Sequence, residues 1–170
     1  MAVSRSGLES RFLDLVENHQ GIVHKVCSLY AETPDAREDL YQEILMQLWR
    51  SFPSFRGNSR FSTWMYRVAL NTALLERRGR RRTLRPARLP QDVKASVGPR
   101  ESGPDVEQLQ HCIRQLRELD RAVILLYLEQ HSHEEIADLT GLTRGSVGVR
   151  IVRIKQRLRE CLLTPGRDKK

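Results

Sequence analysis

Apolar residues recur along this chain at steps of three and four, and no stretch of any length alternates with a period of two. That pattern predicts an all-α fold. From Leu8 to Tyr30 a stripe of Leu8, Phe12, Leu15, Val16, Val23, Val26, Cys27 and Tyr30 is interrupted near Gly21, which reads as two short helices or one bent one. Thr33-Pro34 supplies an N-cap and a proline at the first helical position, and Asp35, Glu38 and Asp39 favour the positive end of the new helix. Leu40, Ile44 and Leu48, with Tyr41, Leu45 and Trp49 beside them, form its stripe, and it is expected to stop near Phe52-Pro53. Another helix is expected from about Ser62 to Arg78, where Gly79 permits a stop.

Between Thr83 and Pro104 the periodicity fades and Pro86, Pro90, Pro99, Pro104, Gly98 and Gly103 accumulate, the composition of a linker. About 22 flexible residues span about 25 Å on average and about 70 Å at full stretch. The expected organisation is therefore two small helical domains, 1–82 and 105–170, joined by a flexible linker at 83–104. In the second, Asp105 is placed to cap a helix whose apolar face is Leu109, Cys112, Ile113 and Leu116, and a helix from Leu119 to Glu129 reads as capped by Asp120. Ser132-His133-Glu134-Glu135 then forms a capping box, Gly141 allows a left-handed turn, Leu142 plugs it and Thr143 caps the next helix. Val147, Ile151, Ile154 and Leu158 run down the buried side of that helix. The spacing is that of a helix-turn-helix.

Charge narrows the partners. The chain has 170 residues and a formal net charge of +8, which points to an anionic partner and first to nucleic acid. The longest apolar run, Ala122 to Leu128, is too short to span a bilayer, and MAVSRSGLES lacks the apolar core of a signal peptide, so a cytoplasmic protein is expected. Cys27, Cys112 and Cys161 are scattered and odd in number, which argues against a disulfide framework or zinc site and for separate small thiols. No cofactor or metal is expected.

Two stretches concentrate candidate chemistry. Phe52 to Arg82 carries Phe52, Phe55, Phe61, Trp64 and Tyr66 and then an arginine run. Flat rings stack on unpaired bases at roughly 1 to 3 kcal/mol each and arginines neutralise phosphates, so the combination suits a strand taken out of its duplex. Against this, Trp64, Met65, Val68 and Leu75 also fit the core of an amphipathic helix with a solvated cationic end. The second stretch is the last helix, whose polar side offers Arg144, Ser146, Arg150, Arg153, Lys155 and Arg157. Basic residues on a second helix suit the major groove, and a helical hairpin with a solvated cationic face is the alternative. One such helix covers only a short site, and no dimerisation element is evident, so specific binding is expected to need a larger assembly.

Taken together, the motifs resemble those of the extracytoplasmic-function (ECF) group of sigma factors, the short members of the sigma-70 family of bacterial RNA polymerase. The matching residues are Asp39-Leu40-Tyr41-Gln42-Glu43 with Leu48-Trp49, Phe55-Arg56-Gly57, Phe61 through Asn71, and Ser132-His133-Glu134-Glu135-Ile136-Ala137 through Val147. The resemblance implies that the helix from Asp35 to Trp49 docks on the β′ clamp helices of core polymerase through Asp39, Gln42, Glu43 and Gln47. It implies that Phe55, Asn58 and Ser59, with Phe61 nearby, form a pocket for a base flipped from the non-template strand of the −10 element. Trp64, Tyr66, Arg67 and Asn71 would belong to the neighbouring recognition and melting helix, with Arg77, Arg78, Arg80, Arg81 and Arg82 on phosphates. The second domain would read the −35 element through Arg144, Ser146, Val147, Arg150, Arg153, Lys155 and Arg157, and touch the polymerase β flap. An anti-sigma factor partner is implied as well.

Gly148 and Val149 depart from the polar or basic residues common in this family at those places, which would shift base readout to Arg144, Ser146, Arg150 and Arg153. The function implied is promoter recognition and transcription initiation, without catalysis by the chain itself. A stand-alone helix-turn-helix regulator is the alternative, in which Phe55 and Trp64 are core only. A recombinase would need a metal or nucleophile constellation, and the shared face of Asp39 and Glu43 is better read as solvated or interfacial.

Overall fold

A computed structural model describes residues 5–77 and 103–163. Among them every regular element is helical: α1 (Arg5–Tyr30), α2 (Pro34–Ser51), a 3₁₀ turn (Phe52–Ser54), α3 (Phe61–Arg77), α4 (Pro104–Arg114), α5 (Glu118–Leu128), α6 (His133–Thr140) and α7 (Arg144–Leu163). The chain divides into two units between Gly98 and Pro99. Apart from Gly103 and Pro104, the expected linker lies outside the described residues, and Pro104 is already the first residue of α4 with Gly103 as its cap.

The first unit packs α1, α2 and α3 against one another. Phe12, Val16, Val23 and Val26 of α1 meet Leu40, Tyr41, Ile44, Leu45 and Leu48 of α2, and Met65, Tyr66, Ala69, Leu70 and Ala73 of α3 complete the core. The Thr33 cap is as expected, its hydroxyl accepting from the Ala36 amide at 3.2 Å with Pro34 at the helix start. Helix α1, by contrast, is a single continuous helix through Gly21 rather than two. Burial of its stripe against two neighbours outweighs the roughly 1 kcal/mol that one interior glycine costs. Inside this core Tyr41 stacks against His24 at 4.8 Å between centroids. Burial raises its phenol above the usual range, with the Cys27 thiol adding to the effect, so the ring stays neutral.

The second unit packs α4, α5 and α6 against α7. Its core is Cys112, Ile113 and Leu116, the apolar run of α5, Ile136, Ala137 and Leu139, and the Val147, Ile151, Ile154 and Leu158 stripe. The capping box forms as expected: the Glu135 amide donates to the Ser132 hydroxyl at 3.2 Å and the Ser132 amide to the Glu135 carboxylate at 2.9 Å. Gly141 adopts φ 74° at the turn, and the Ser146 amide donates to Thr143 Oγ1 at 3.2 Å.

Three expectations are corrected here. Asp105 and Asp120 are not caps: Gly103 and Arg117 hold those positions without side-chain hydrogen bonds, and both acids lie in the first turn, where they meet the helix dipole instead. Cys112 and Cys161 are joined in a disulfide, with Cα atoms 6.0 Å apart, while Cys27 is a buried thiol. Packing of α4 on α7 brings together two residues 49 apart in sequence, which spacing alone does not reveal. Gln130, between α5 and α6, takes a left-handed φ of 62° where glycine is usual, and the His131 amide closes the α5 end on the Leu126 carbonyl at 3.1 Å.

Candidate nucleic-acid interface

The first unit carries an aromatic cluster that starts in the core and ends at the surface. Phe12 contacts Trp49 and Phe52 at 5.0 and 5.2 Å between centroids. Phe52, fully enclosed, then reaches Phe55, Phe61 and Trp64 at 6.3 to 6.5 Å. The outermost pair is Phe55 and Trp64, 5.1 Å apart and both half-buried, with Phe61 behind them at 5.6 and 5.3 Å. The 3₁₀ turn produces this arrangement, since the Phe55 amide bonds back to the Phe52 carbonyl at 3.0 Å and turns the Phe55 ring onto the α3 start.

The loop and helix that carry that pair also carry exposed polar groups. Asn58, Ser59 and Arg60 are exposed in the loop that Gly57 turns at φ 74°, a conformation few side chains tolerate. On α3, Arg67 and Asn71 are exposed at three and seven residues beyond Trp64 and share its side of the helix. A ring, a cation and an amide thus share one side of α3. Two expected contributors are corrected: Tyr66 is 2% exposed and Phe61 is enclosed, so both support the surface from beneath rather than forming it. The helical phase decides this, because Phe61, Met65, Ala69 and Ala73 turn inward together with Tyr66. Arg77 ends α3, and Arg78, Arg80, Arg81 and Arg82 lie outside the described residues. Arg60, between the Phe55-Arg56-Gly57 and Phe61–Asn71 motifs, is an addition to the expected set.

A second polar face lies on α2. Asp39 is exposed and Gln42, Glu43 and Gln47 are partly exposed, away from the buried Leu40, Ile44 and Leu48 stripe. The Gln47 amide donates to Glu43 at 2.8 Å, which fixes the two side chains along the helix.

On α7 the basic side chains are largely engaged. Arg150 Nη1 donates to Asp120 at 2.7 Å and Arg157 approaches the same carboxylate at 3.7 Å. The Asp120 side chain is 7% exposed, whereas that of Arg150 is 37% exposed, so a buried anion of α5 holds two α7 cations at its rim. Arg144 pairs with Glu134 of α6 at 2.9 Å with both side chains largely in solvent, a contact worth little on its own. Lys155 Nζ donates to the Tyr127 hydroxyl at 2.6 Å and lies 4.2 Å from that ring's centroid. Arg153 is exposed and makes no ion pair among the described residues. Val147 is fully buried, which corrects its expected place on DNA. Beside Asp120, Arg117, Ser146, Arg150, Arg153 and Arg157 line an open basin of about 500 Å³. Arg117 and Asp120 are additions to the expected set, contributed by an element 30 residues away that no local motif marks.

Two family models match this chain: residues 15–83 match sigma-70 region 2 and residues 106–158 match sigma-70 region 4. The ECF RNA polymerase sigma-E factor of Escherichia coli strain K12 is 31% identical over 166 residues, spanning 89% of this chain and 86% of that protein. The corresponding factor of Haemophilus influenzae is 30% identical over 166 residues, spanning 89% and 87%. The chain belongs to the ECF sigma factors of the sigma-70 family. Solved structures share this sigma factor's fold: the sigma factor RpoE bound to the anti-sigma factor NepR from Bartonella quintana has a TM-score of 0.70 at 20% identity, covering 92% of this chain and 99% of that one. CnrH in complex with the cytosolic domain of CnrY has a TM-score of 0.66 at 23% identity, covering 95% and 93%. Within the sigma factor, the aromatic surface and the α2 polar face both fall in the region 2 match, and the basic basin in the region 4 match.

Proposed function

We propose that this sigma factor binds core RNA polymerase, directs it to promoters and stabilises the melted non-template strand, acting as a dissociable initiation subunit without catalysis of its own. The observation that carries the reading is the half-buried Phe55–Trp64 pair, with Asn58 and Ser59 exposed in the intervening loop and Arg67 and Asn71 exposed on α3, within a region 2 match. Rings anchored on one side and open on the other stack on an unpaired base with little further ordering, and the neighbouring amides can read its edge. Asp39, Gln42, Glu43 and Gln47 offer a polar, partly ordered face to the β′ clamp helices. The helix-turn-helix docks α7 on the −35 element and contacts the β flap. The fold shared with a sigma factor seen bound to an anti-sigma factor supports a partner of that kind here. Among the described residues no helix is long and apolar enough to cross a membrane, and the site of action is the cytoplasm, where polymerase works.

The test is co-purification of the chain with bacterial core polymerase followed by run-off transcription from a randomised promoter library. Stable binding and transcription from a distinct promoter class are expected. Failure to bind core, with tight binding to a palindromic duplex instead, would replace the reading with a stand-alone regulator.

A further inference from the structure

The face of α7 opposite its buried stripe is apolar at its centre. Val149 is 53% exposed and Val152 is 68% exposed, one helical turn apart on the same side. Neither belongs to the core of the second unit, where α7 contributes Val147, Ile151, Ile154 and Leu158. Gly145 precedes them on that face, and a Cβ built there would meet nothing within 4 Å. The two valines therefore project from a low-relief surface.

The surroundings of the pair select its occupant. Val149 shares the open basin with Arg117, Arg150, Arg153 and Arg157, a cationic border that matches a phosphate backbone and opposes burial against an uncharged protein or lipid surface. Of the polar readers expected on this helix, Arg150 is held by Asp120, while Arg144, in a weak surface pair with Glu134, and the exposed Arg153 stay available to phosphates. Between those cations the exposed Val149 and Val152 are aliphatic. In the major groove the base edges present one apolar group, the thymine C5 methyl.

We propose that Val149 and Val152 are specificity-determining residues that read thymine methyl groups in the upstream promoter element, with the arginine border fixing the helix in the groove. The inference rests on the promoter-binding reading above. Three residues of helix advance about 4.5 Å, close to one base step of about 3.4 Å, so the pair addresses neighbouring thymines.

The experiment uses holoenzyme reconstituted from the full chain and core polymerase, with promoters selected from a library randomised across the −35 region. Adjacent thymines are expected in the selected element. Replacing each by deoxyuridine, which removes only the methyl, should weaken binding about fourfold, the worth of one buried methyl. Val149→Ala and Val152→Ala should each abolish that penalty at one position while leaving the helical circular dichroism unchanged. An element without thymine, a neutral deoxyuridine exchange, or a penalty that persists in both variants would overturn the inference. Holoenzyme indifferent to scrambling of the whole upstream element would instead defeat the promoter reading itself. Loss of an inhibitory protein's binding in the valine variants, with the deoxyuridine penalty intact, would reassign the face to a protein partner.

Discussion

The two units build their candidate surfaces from opposite materials. In the first, Phe55 and Trp64 are the outer layer of an aromatic cluster that continues through Phe61 and Phe52 to Phe12 in the core, with the half-buried Trp49 against Phe12. In the second, the surface is rich in cations, several of which meet partners on other helices, Arg150 firmly with Asp120, Lys155 with Tyr127 and Arg144 weakly with Glu134. An aromatic surface of the first kind is positioned by the packing of the core beneath it. A cationic surface of the second kind is positioned by contacts that must be shared or exchanged when phosphates arrive. Substitutions should therefore separate stability from function by depth in the first unit and by pairing in the second.

The largest expected effect tests depth. Phe52→Ala removes the ring that joins the outer pair to the core and should destabilise the first unit by about 3 to 5 kcal/mol, read by thermal or urea denaturation. Phe55→Ala truncates a half-buried ring and should cost about 1 kcal/mol or less, yet abolish most promoter opening. Equal losses of stability in the two variants would erase the distinction.

Next comes the disulfide. Reduction, or Cys161→Ser, should lower the stability of the second unit by roughly 2 to 4 kcal/mol, the usual worth of a cross-link closing a loop of this order, and leave melting of the first unit unchanged. Denaturation with and without a thiol reductant reads it directly. An unchanged transition in the second unit would show that α4 and α7 hold each other without the cross-link.

Pairing is tested by Asp120→Ala. It removes a buried carboxylate but leaves Arg150 and Arg157 with access to water, so the expected destabilisation is about 1 to 2 kcal/mol rather than the 3 to 5 of a fully buried pair. The freed cations should steepen the salt dependence of DNA binding by about one phosphate contact for each cation recruited. A salt slope that stays the same would mean that the pair has no part in presenting the recognition helix. The smallest effect is expected at Gln130→Gly, which relieves a left-handed backbone and should add up to about 1 kcal/mol to the second unit without altering DNA binding.

Legibility in the sequence followed the range of the interactions. The Thr33 cap, the Ser132–Glu135 box and the Gly141 turn are local, each closed within a few residues, and each was readable. Asp105 and Asp120 looked like caps because an acid near a helix start serves either to cap or to meet the dipole, and only the backbone angles tell which. Trp64 and Tyr66 are two residues apart and equally aromatic, but helical phase leaves one at the surface and turns the other inward. The Asp120–Arg150 pair and the Cys112–Cys161 bond span 30 and 49 residues. Neither leaves a mark in local spacing, so the basic face of α7 was legible as a composition but not as a set of occupied cations.

The most direct test of the central claim is the kinetics of strand opening by holoenzyme, followed with a fluorescent base analogue at the flipped position of the −10 element. With Phe55→Ala, opening of a duplex promoter should fall about 5- to 150-fold, the loss of about 1 to 3 kcal/mol of stacking, while core binding and transcription from a pre-melted template stay near wild type. Wild-type opening in that variant, or an equal loss on the pre-melted template, would contradict the account.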